Sequence, residues 1–274
     1  MDLLFKRKIA VLGCGNLGES LVAGLIEQGL PPGNLWLTSR RLERQQQLKG
    51  RYGCKTGADN RQAAEGADIA ILAVKPQQMA QLCSELAELD WHGKLLISVA
   101  AGLPIDRYEA WLEQSVAFVR SMPNTPAELK LAATGLYANA LVSAEQREWS
   151  EQIFSAIGRW VWIDDEAQMD LVTAIAGSGP AYFYRFIEAM IASAVAQGMS
   201  KETATILVTQ TALGAGALAA RRGAPKVDEL RQRVTSKGGT TEAALKSLEA
   251  AGISDIVDQM IRAAVQRGRE LANS

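Results

Sequence analysis

The sequence has few of the side chains that metal-dependent and histidine-dependent enzymes require. It has a single histidine, His92, and its three cysteines, Cys14, Cys54 and Cys83, form no CxxC pair. A histidine-rich metal site is therefore excluded, as is a hydrolase with a histidine base at any other position. We expect no metal ion, and we expect the cysteines to be the reduced thiols of a cytoplasmic protein.

An excess of charge of one sign is also lacking. The chain has 29 Lys and Arg against 30 Asp and Glu, so its formal net charge is −1. Because the chain has no excess of positive charge that would attract phosphates, we predict no nucleic-acid partner. Apolar residues make up 48% of the 274 residues. That fraction excludes a disordered chain and provides enough core for two modest domains.

Long uncharged runs are absent except for one, from Thr203 to Ala220. Its length of about 18 residues is near the lower limit for a membrane helix. Its threonine, glutamine and glycine residues would make a poor lipid-facing surface, however, so we predict a helix buried between protein partners. The basic start at Lys6 to Lys8 is followed by no signal-peptide core. These features predict a cytoplasmic protein with no membrane span.

Apolar periodicity divides the chain into two parts. Strands alternate with helices up to residue 164, which predicts a parallel sheet. The predicted strands are Lys8–Leu12, Asn34–Thr38, a short one near Cys54, Asp68–Val74, Lys94–Val99 and Trp160–Ile163. The predicted helices between them are Asn16–Gln28, Leu42–Tyr52, Gln62–Glu65 and Gln77–Leu89. From residue 165 to 274 we predict helices only, at Ala181–Gln197, Thr203–Ala220, Lys226–Arg233, Thr241–Ala251 and Ile253–Ala272.

A glycine motif follows the first predicted strand. Gly13, Gly15 and Gly18 form GxGxxG and open the first helix, which is the context that a dinucleotide-binding turn of a Rossmann-type domain requires. The first glycine allows the tight turn, the second lets the backbone approach a pyrophosphate, and the third lets helix and strand pack closely. The helix N-terminus adds unpaired N–H groups and a partial positive charge.

The end of the second strand indicates which dinucleotide binds. An NAD site usually has a carboxylate about 20 residues after the glycines, whereas this chain has Thr38-Ser39-Arg40-Arg41. Because serine and arginine donate to a 2′-phosphate and a carboxylate would repel it, we predict a preference for NADPH, with NADH possible. The alternative is that Arg40 and Arg41 are only a solvated helix start.

Other loops carry further candidate sites. Lys75 and the small residues Ala100 and Ala101 follow the fourth and fifth strands, where an open parallel sheet binds its ligands. Three loops rich in glycine, proline and hydroxyl residues follow, at residues 120–126, 177–182 and 234–241. The third runs into a helix, so its free N–H groups predict a site for a small carboxylate. The alternative is an ordinary turn with Thr240 as the helix cap.

Six motifs, taken in order, resemble the pyrroline-5-carboxylate reductases, the last enzymes of proline synthesis. They are GCGNLG, AVKPQ, SVAAG, RSMPNTPA, AGSGPAYFY and VTSKGGTTEAAL, and they span nearly the whole chain. The resemblance implies NAD(P)H-dependent reduction of 1-pyrroline-5-carboxylate to L-proline. It also implies a Rossmann-type domain followed by an all-helical dimerisation domain that interlocks with a second protomer, with the active site at the dimer interface and larger rings of dimers in some members.

The resemblance also implies site residues. It places the cofactor at the glycine motif and beyond, on Gly13, Gly15, Asn16, Leu17, Gly18, Ser39, Arg40, Asn60, Ala73, Val74, Lys75, Pro76, Ala100 and Ala101. It places the substrate carboxylate on Ser236, Gly238, Gly239 and Thr240, with Thr241 beside the ring nitrogen. We expect Thr241 to orient the imine, which arrives protonated, so that no strong acid is required.

Two other functions compete with this interpretation. A β-hydroxyacid dehydrogenase shares the domain pattern but needs a lysine base on the first long helix of its second domain, and no lysine stands between Leu171 and Lys201. A non-catalytic NADPH-binding regulator would keep the fold and bind the cofactor without turnover. The intact GGTT sequence at residues 238–241 argues against it, because a sensor has no need of a carboxylate site.

Overall fold

The computed structural model describes residues 3–272, and its largest feature is an eight-stranded sheet. The strands are β1 (Ile9–Leu12), β2 (Leu35–Thr38), β3 (Lys55–Gly57), β4 (Ile69–Leu72), β5 (Leu95–Ser98), β6 (Phe118–Met122), β7 (Ala132–Ala138) and β8 (Gly158–Trp162). Their order across the sheet is β3-β2-β1-β4-β5-β6-β7-β8. The first six follow the order of a dinucleotide-binding Rossmann fold.

The strand sequences explain why the centre of the sheet is parallel. β1, β4 and β5 are buried along their whole length and consist almost entirely of aliphatic residues, as expected for strands covered by helices on both faces. They pair in register, with Val11 opposite Ile71 and Ile71 opposite Ile97. One apolar cluster contains Val11, Ile71 and Ile97, and a second contains Ala10, Ala70 and Leu96.

Helices of the first part follow the strands. They are α1 (Asn16–Glu27), α2 (Leu42–Tyr52), α3 (Asn60–Glu65), α4 (Met79–Leu86), α5 (Ile105–Leu112) and α6 (Ala144–Ser155). Asp59 caps α3 through the Gln62 N–H, and Ser143 and Gln146 form a capping box on α6. The carboxyl ends of β1 and β2 lead through short turns to α1 and α2. The carboxyl end of β4 leads to α4 through a short 3₁₀ helix, Pro76–Gln78.

The segment from residue 100 to 157 contains structure that the sequence patterns did not predict. It includes α5, β6, β7 and α6. Arg120, Ser121 and Met122, which we assigned to a loop, form the end of β6, so only the residues after them make the turn. β7 pairs with β6 in the antiparallel direction, so the sheet is not entirely parallel. The cause is the short connection between them, because a parallel crossover needs a dozen or more residues.

The rest of the described chain is helical, as predicted. It comprises α7 (Met169–Val172), a π-helical turn (Thr173–Gly177), α8 (Gly179–Ala196), α9 (Lys201–Ala220), α10 (Val227–Arg233), α11 (Thr240–Ala250) and α12 (Ile253–Ala272). The π turn ends at Gly177, and α8 begins two residues later at Gly179. Ser200 caps α9 through the Thr203 N–H.

Contacts between residues group the chain into two compact units. One unit contains the residues before Gly179 together with those from Ala264 onward, and the other is Gly179–Ala263. The sequence boundary at residue 164 followed the end of the last strand. The domain boundary at residue 164 stays a prediction. The contacts between residues place the π turn and the end of α12 in the same unit as the sheet.

Candidate active site

A cleft lies where the carboxyl ends of β1, β2 and β4 meet. Its volume is about 320 Å³, which is within the usual range for small-molecule sites. Eight of the residues predicted to contact the cofactor line it together: Gly13, Gly15, Ser39, Arg40, Asn60, Ala73, Val74 and Lys75. Residues widely separated in sequence converge here because β2, β1 and β4 are adjacent in the sheet.

The glycine turn closes tightly at its first residue. Gly13 has φ +82, and a Cβ there would lie 2.3 Å from Val74 Cγ1. The Gly13 N–H donates to Thr38 Oγ1 at 2.9 Å, and the Cys14 N–H donates to the Thr38 carbonyl at 2.8 Å. The turn is therefore fixed by β2 on one side and by the end of β4 on the other.

The second and third glycines have different surroundings. Gly15 is exposed, and the nearest atom to a Cβ there would be the Gly13 carbonyl oxygen at 4.0 Å. Gly18 is buried, and a Cβ there would lie 3.1 Å from Val11 Cγ1 on β1. The backbone at Gly15 is thus open toward the cleft, while Gly18 lets α1 approach β1. This opening lies beside the N-terminus of α1, where free N–H groups favour an anion.

The loop after β2 presents donors and cations. Ser39 is held by its own backbone, whose carbonyl accepts from Gln45 Nε2 at 2.7 Å and whose N–H donates to the Gly57 carbonyl at 3.0 Å. Its hydroxyl oxygen accepts from the Arg41 N–H at 3.3 Å, which leaves the hydroxyl proton to donate elsewhere. Arg40 and Arg41 are exposed and both line the cleft. This set of donors fits a phosphate group.

Asn60 connects the walls of the cleft. Its Oδ1 accepts from the Thr38 hydroxyl at 2.7 Å, and its Nδ2 donates to Glu85 Oε2 at 3.2 Å. Glu85 is on α4 and also accepts from Gln81 at 3.1 Å. A carboxylate therefore lines the cleft after all, but it comes from α4 and not from the end of β2. Its oxygens are already engaged by amide groups.

Several predicted cofactor residues lie outside this cleft. Asn16 lines a separate cavity of about 280 Å³ with Glu19 and Arg51. Leu17 is half-buried and Gly18 is buried. Pro76 and Ala101 line a neighbouring cavity of about 430 Å³, and Ala100 is buried. The reason is geometric: the helix turns Asn16 and Leu17 away from the cleft, and β5 is one strand further along the sheet than β4.

Other residues line the cleft that were not assigned to the cofactor from the sequence. They are Cys14, Thr38, Arg41, Arg44, Ala58, Gln78, Gln81, Leu82 and Glu85. Arg41 and Arg44 had a signal, since they follow β2 and lie within a turn of Arg40. The α4 residues had none, because only the pairing of β1 with β4 brings α4 beside α3.

The cysteines are unsuited to redox chemistry. All three are buried and free, and burial raises the pKa of Cys14 to about 12, with smaller opposing and reinforcing effects from Arg44 and Glu19. Burial likewise raises the pKa of Cys54 to about 11 and of Cys83 to about 12. The reactive thiolate is therefore scarce at neutral pH. Within residues 3–272, no group of three or more His, Cys, Asp and Glu side chains could hold a metal ion.

The first of the three loops rich in glycine, proline and hydroxyl residues, at residues 120–126, has a structural anchor. Buried Arg120 pairs with Glu166 at 3.1 Å and with Asp170 at 3.8 Å. Asn124 donates to the Ala176 carbonyl at 3.0 Å and accepts from the Ala133 N–H at 3.0 Å. These contacts tie the end of β6 and the turn after it to residues 166–176, so the side chains of Arg120 and Asn124 are satisfied internally.

The predicted substrate loop forms the N-terminus of α11. Gly238 has φ +73, and its N–H donates to Glu242 Oε2 at 2.7 Å. A Cβ at Gly239 would lie 2.4 Å from Ser236 Oγ and 3.1 Å from the Ser236 carbonyl oxygen, so a side chain there would require the Ser236 hydroxyl to move. The helix cap is Gly239 and not Thr240, and it makes no side-chain cap bond. The first N–H groups of α11 are therefore without a side-chain cap, and Thr241 is half-buried beside them.

Together the sheet order, the glycine turn and the donor-rich loop after β2 define a Rossmann-type, NAD(P)-dependent oxidoreductase with a helical second region. A family model described as NADP oxidoreductase, coenzyme F420-dependent, matches residues 8–102. A second, described as pyrroline-5-carboxylate reductase dimerisation, matches residues 166–271.

Relatives agree along the whole chain. A pyrroline-5-carboxylate reductase of Pseudomonas aeruginosa is 46% identical over 97% of this chain and 97% of its own, and one of Vibrio alginolyticus is 41% identical over the same shares. A solved structure of a pyrroline-5-carboxylate reductase from Coxiella burnetii matches with a TM-score of 0.94 and 40% identity, covering 98% of this chain and 99% of that one. The chain belongs to the pyrroline-5-carboxylate reductase family.

A further solved structure bears on the cleft. The pyrroline carboxylate reductase of Plasmodium falciparum, with NADP bound, matches with a TM-score of 0.82 and 28% identity over 97% of this chain and 98% of that one. The similarity extends across both the sheet and the helical region. The Rossmann-type architecture and the helical C-terminal region predicted from sequence are therefore confirmed.

Proposed function

We propose that the protein reduces 1-pyrroline-5-carboxylate to L-proline with NADPH as hydride donor, the final step of proline biosynthesis. The observation that carries this proposal is the family match over nearly the whole chain, together with a cleft built to hold a dinucleotide. When bound, the dihydronicotinamide supplies the hydride. The protein supplies binding, orientation and exclusion of water.

We assign the cofactor's phosphates to the two donor sets of the cleft. The exposed backbone of Gly15 and the start of α1 at Asn16 and Leu17 bind the pyrophosphate, with Gly13 and Gly18 shaping the turn. Ser39 and Arg40 bind the 2′-phosphate. No carboxylate stands between β2 and α2 to repel that phosphate, and Arg41 adds a further positive charge.

The remaining cofactor contacts are assigned along the sheet edge. Asn60 contacts the adenosine side, consistent with its place on the cleft wall. Ala73, Val74, Lys75 and Pro76, after β4, contact the ribose and nicotinamide side. Ala100 and Ala101, after β5, leave room for the ring because their side chains are small.

Substrate binding is assigned to the start of α11. The residues Ser236, Gly238, Gly239 and Thr240 hold the substrate carboxylate, which replaces Glu242 Oε2 as the acceptor of the Gly238 N–H and is aided by the positive end of the helix. The Thr241 hydroxyl hydrogen-bonds the ring nitrogen and fixes the face of the imine. The imine arrives protonated, so this loop needs no general acid, and a hydroxyl is sufficient for orientation.

The helical region supports a homodimer. Large apolar side chains on α8 and α9 are exposed in the single chain, among them Phe183 at 72%, Tyr184 at 58% and Ile206 at 60%. Exposed apolar surface of this extent marks an interface. We assign the covering surface to a second copy with interlocked helices, and larger assemblies to rings of such dimers. Light scattering coupled to gel filtration measures both.

The α9 helix, Lys201–Ala220, is the one helix of the described residues long and apolar enough to cross a membrane, and 11% of its most apolar window is buried within the single chain. We assign it to the protein interface, because Thr205 and Thr209 donate to carbonyls of their own helix and its glycines suit close contact with another helix. On this proposal the enzyme is cytoplasmic and purifies without detergent.

The test is the loss of absorbance at 340 nm with purified protein, pyrroline-5-carboxylate, and either NADPH or NADH. Faster oxidation of NADPH supports both the reaction and the 2′-phosphate assignment. Faster oxidation of NADH retains the enzyme and refutes that assignment. Cofactor binding without oxidation of either refutes the reductase and indicates the regulator.

A further inference from the structure

A third arginine of the cleft differs from Arg40 and Arg41 in being fixed in place. Arg44 is on the first turn of α2 and lines the cleft with Ser39, Arg40 and the glycine turn. Its side chain is 15% exposed, whereas Arg40 and Arg41 are exposed. A cation at this depth keeps more of its electrostatic strength than one in bulk water.

A carboxylate from a different helix holds Arg44. Glu19, on α1, accepts from Arg44 Nη2 through Oε2. Its other oxygen accepts from Arg51 Nη1 at 2.9 Å and from the Tyr52 hydroxyl at 3.0 Å. Burial opposes ionisation of Glu19, but the hydrogen bonds from Arg44 and Tyr52 and the charges of Arg44 and Arg51 outweigh it and lower its pKa. Glu19 is therefore a carboxylate at neutral pH.

Arg44 also reaches the glycine turn. Its Nε donates to the Cys14 carbonyl at 3.5 Å, a long contact. A guanidinium has five N–H donors, and these contacts engage only Nε and Nη2. Within residues 3–272, Nη1 of Arg44 has no hydrogen-bond or ion-pair partner. A pre-positioned cation with unused donors in an anion-binding cleft has the chemistry of a phosphate ligand.

We propose that Arg44 is a specificity-determining residue that binds the cofactor's 2′-phosphate together with Ser39 and Arg40, and that Glu19 is the positioning residue that holds it there. This inference rests on the proposed NADPH-dependent function. The exposed side chains of Arg40 and Arg41 must become ordered when a phosphate binds, which costs side-chain entropy. Arg44 is already ordered by Glu19, so more of its interaction contributes to affinity.

The experiment measures equilibrium binding by calorimetry with two ligand pairs, NADP⁺ against NAD⁺ and 2′,5′-ADP against 5′-AMP. Arg44→Gln should weaken NADP⁺ and 2′,5′-ADP by about 10- to 100-fold, the range for hydrogen bonds to a charged group. NAD⁺ and 5′-AMP should bind within about twofold of wild type, because they lack the phosphate. Arg44→Lys should recover part of the loss, since it keeps the charge but not the planar fork.

Glu19→Gln tests the positioning role, and Arg51→Gln is its matched control. Both variants remove a contact of the same carboxylate cluster, but Arg51 is 70% exposed and does not line the cleft. Glu19→Gln should weaken NADP⁺ several-fold without changing NAD⁺, and Arg51→Gln should leave the NADP⁺-to-NAD⁺ ratio as in wild type. Thermal unfolding of each variant confirms that it is folded.

Three outcomes overturn the proposal. If Arg44→Gln weakens the binding of NADP⁺ and NAD⁺ equally, Arg44 supports the glycine turn and the pyrophosphate and not the 2′-phosphate. No loss for either would make its cluster purely structural. If Arg44→Gln does not fold, the other two variants decide. The proposal is overturned if folded Arg44→Lys and Glu19→Gln both keep the wild-type ratio of NADP⁺ affinity to NAD⁺ affinity. Failure of wild type to bind any dinucleotide refutes the proposed function itself, which is a distinguishable result.

Discussion

Alanine in place of the first glycine of the turn should lower the stability of the fold, whereas alanine in place of the second should weaken cofactor binding. At Gly13, φ is +82, and the new Cβ would lie 2.3 Å from Val74 Cγ1 and 3.1 Å from the Val74 nitrogen. A left-handed alanine costs about 1–2 kcal/mol, and overpacking adds about 1–3 kcal/mol. Alanine also lowers the conformational entropy of the unfolded chain, which stabilises the folded state by about 0.4–1 kcal/mol. Gly13→Ala should therefore lower the free energy of unfolding by about 1–5 kcal/mol.

At Gly15 the same methyl meets no obstacle within the protein. The residue has φ −86, and the nearest atom is 4.0 Å away. Stability should change by less than about 1 kcal/mol, because the entropic gain offsets the poorer helix cap. The methyl instead occupies the opening assigned to the pyrophosphate. A clash of about 1–3 kcal/mol there should weaken NADP⁺ by roughly 10- to 100-fold.

Urea unfolding and calorimetric titration with NADP⁺ separate the two effects. Gly13→Ala should shift the urea midpoint, and Gly15→Ala should shift the dissociation constant alone. The reasoning is refuted if Gly13→Ala is as stable as wild type. It is equally refuted if Gly15→Ala binds NADP⁺ as tightly as wild type does.

Three further predictions concern the fold, the substrate loop and the Glu19 cluster. Gly24→Ala places a Cβ 2.3 Å from the Ala156 carbonyl oxygen and should lower unfolding stability by about 1–3 kcal/mol. Gly33→Ala, with nothing within 4 Å, is its control, and equal urea midpoints would contradict the packing argument. Thr241→Ala should lower kcat/KM by about 10²-fold with unchanged thermal stability, and an unchanged rate would remove its role. Because the folded pKa of Glu19 is lowered from 4.5, its charge stabilises the fold above that pH. The stability advantage of wild type over Glu19→Gln in urea titrations should therefore shrink as pH falls below 4.5, and an advantage that is constant with pH would contradict it.

The parallel core of the sheet was predictable because its signals are local. The β1, β4 and β5 segments are short aliphatic runs, and such runs read as buried strands wherever they occur. β7 and α6 gave weaker signals. β7 contains Gly135 and three alanines and so lacks the β-branched pattern of a strand. α6 contains few aliphatic residues, and its buried face uses Gln146, Trp149 and Ser150.

The sequence by itself determined the class of cofactor site, since a glycine turn between a strand and a helix requires only neighbouring residues. It also determined that no carboxylate stands between β2 and α2. Only the tertiary structure decided what else surrounds the cleft. Glu19 holds Arg44 because α1 and α2 are neighbours, and Glu85 reaches Asn60 because β4 pairs with β1. Such contacts join residues that are 25 positions apart, and sequence patterns carry no information about them because the packing of one helix against the next decides which side chains meet.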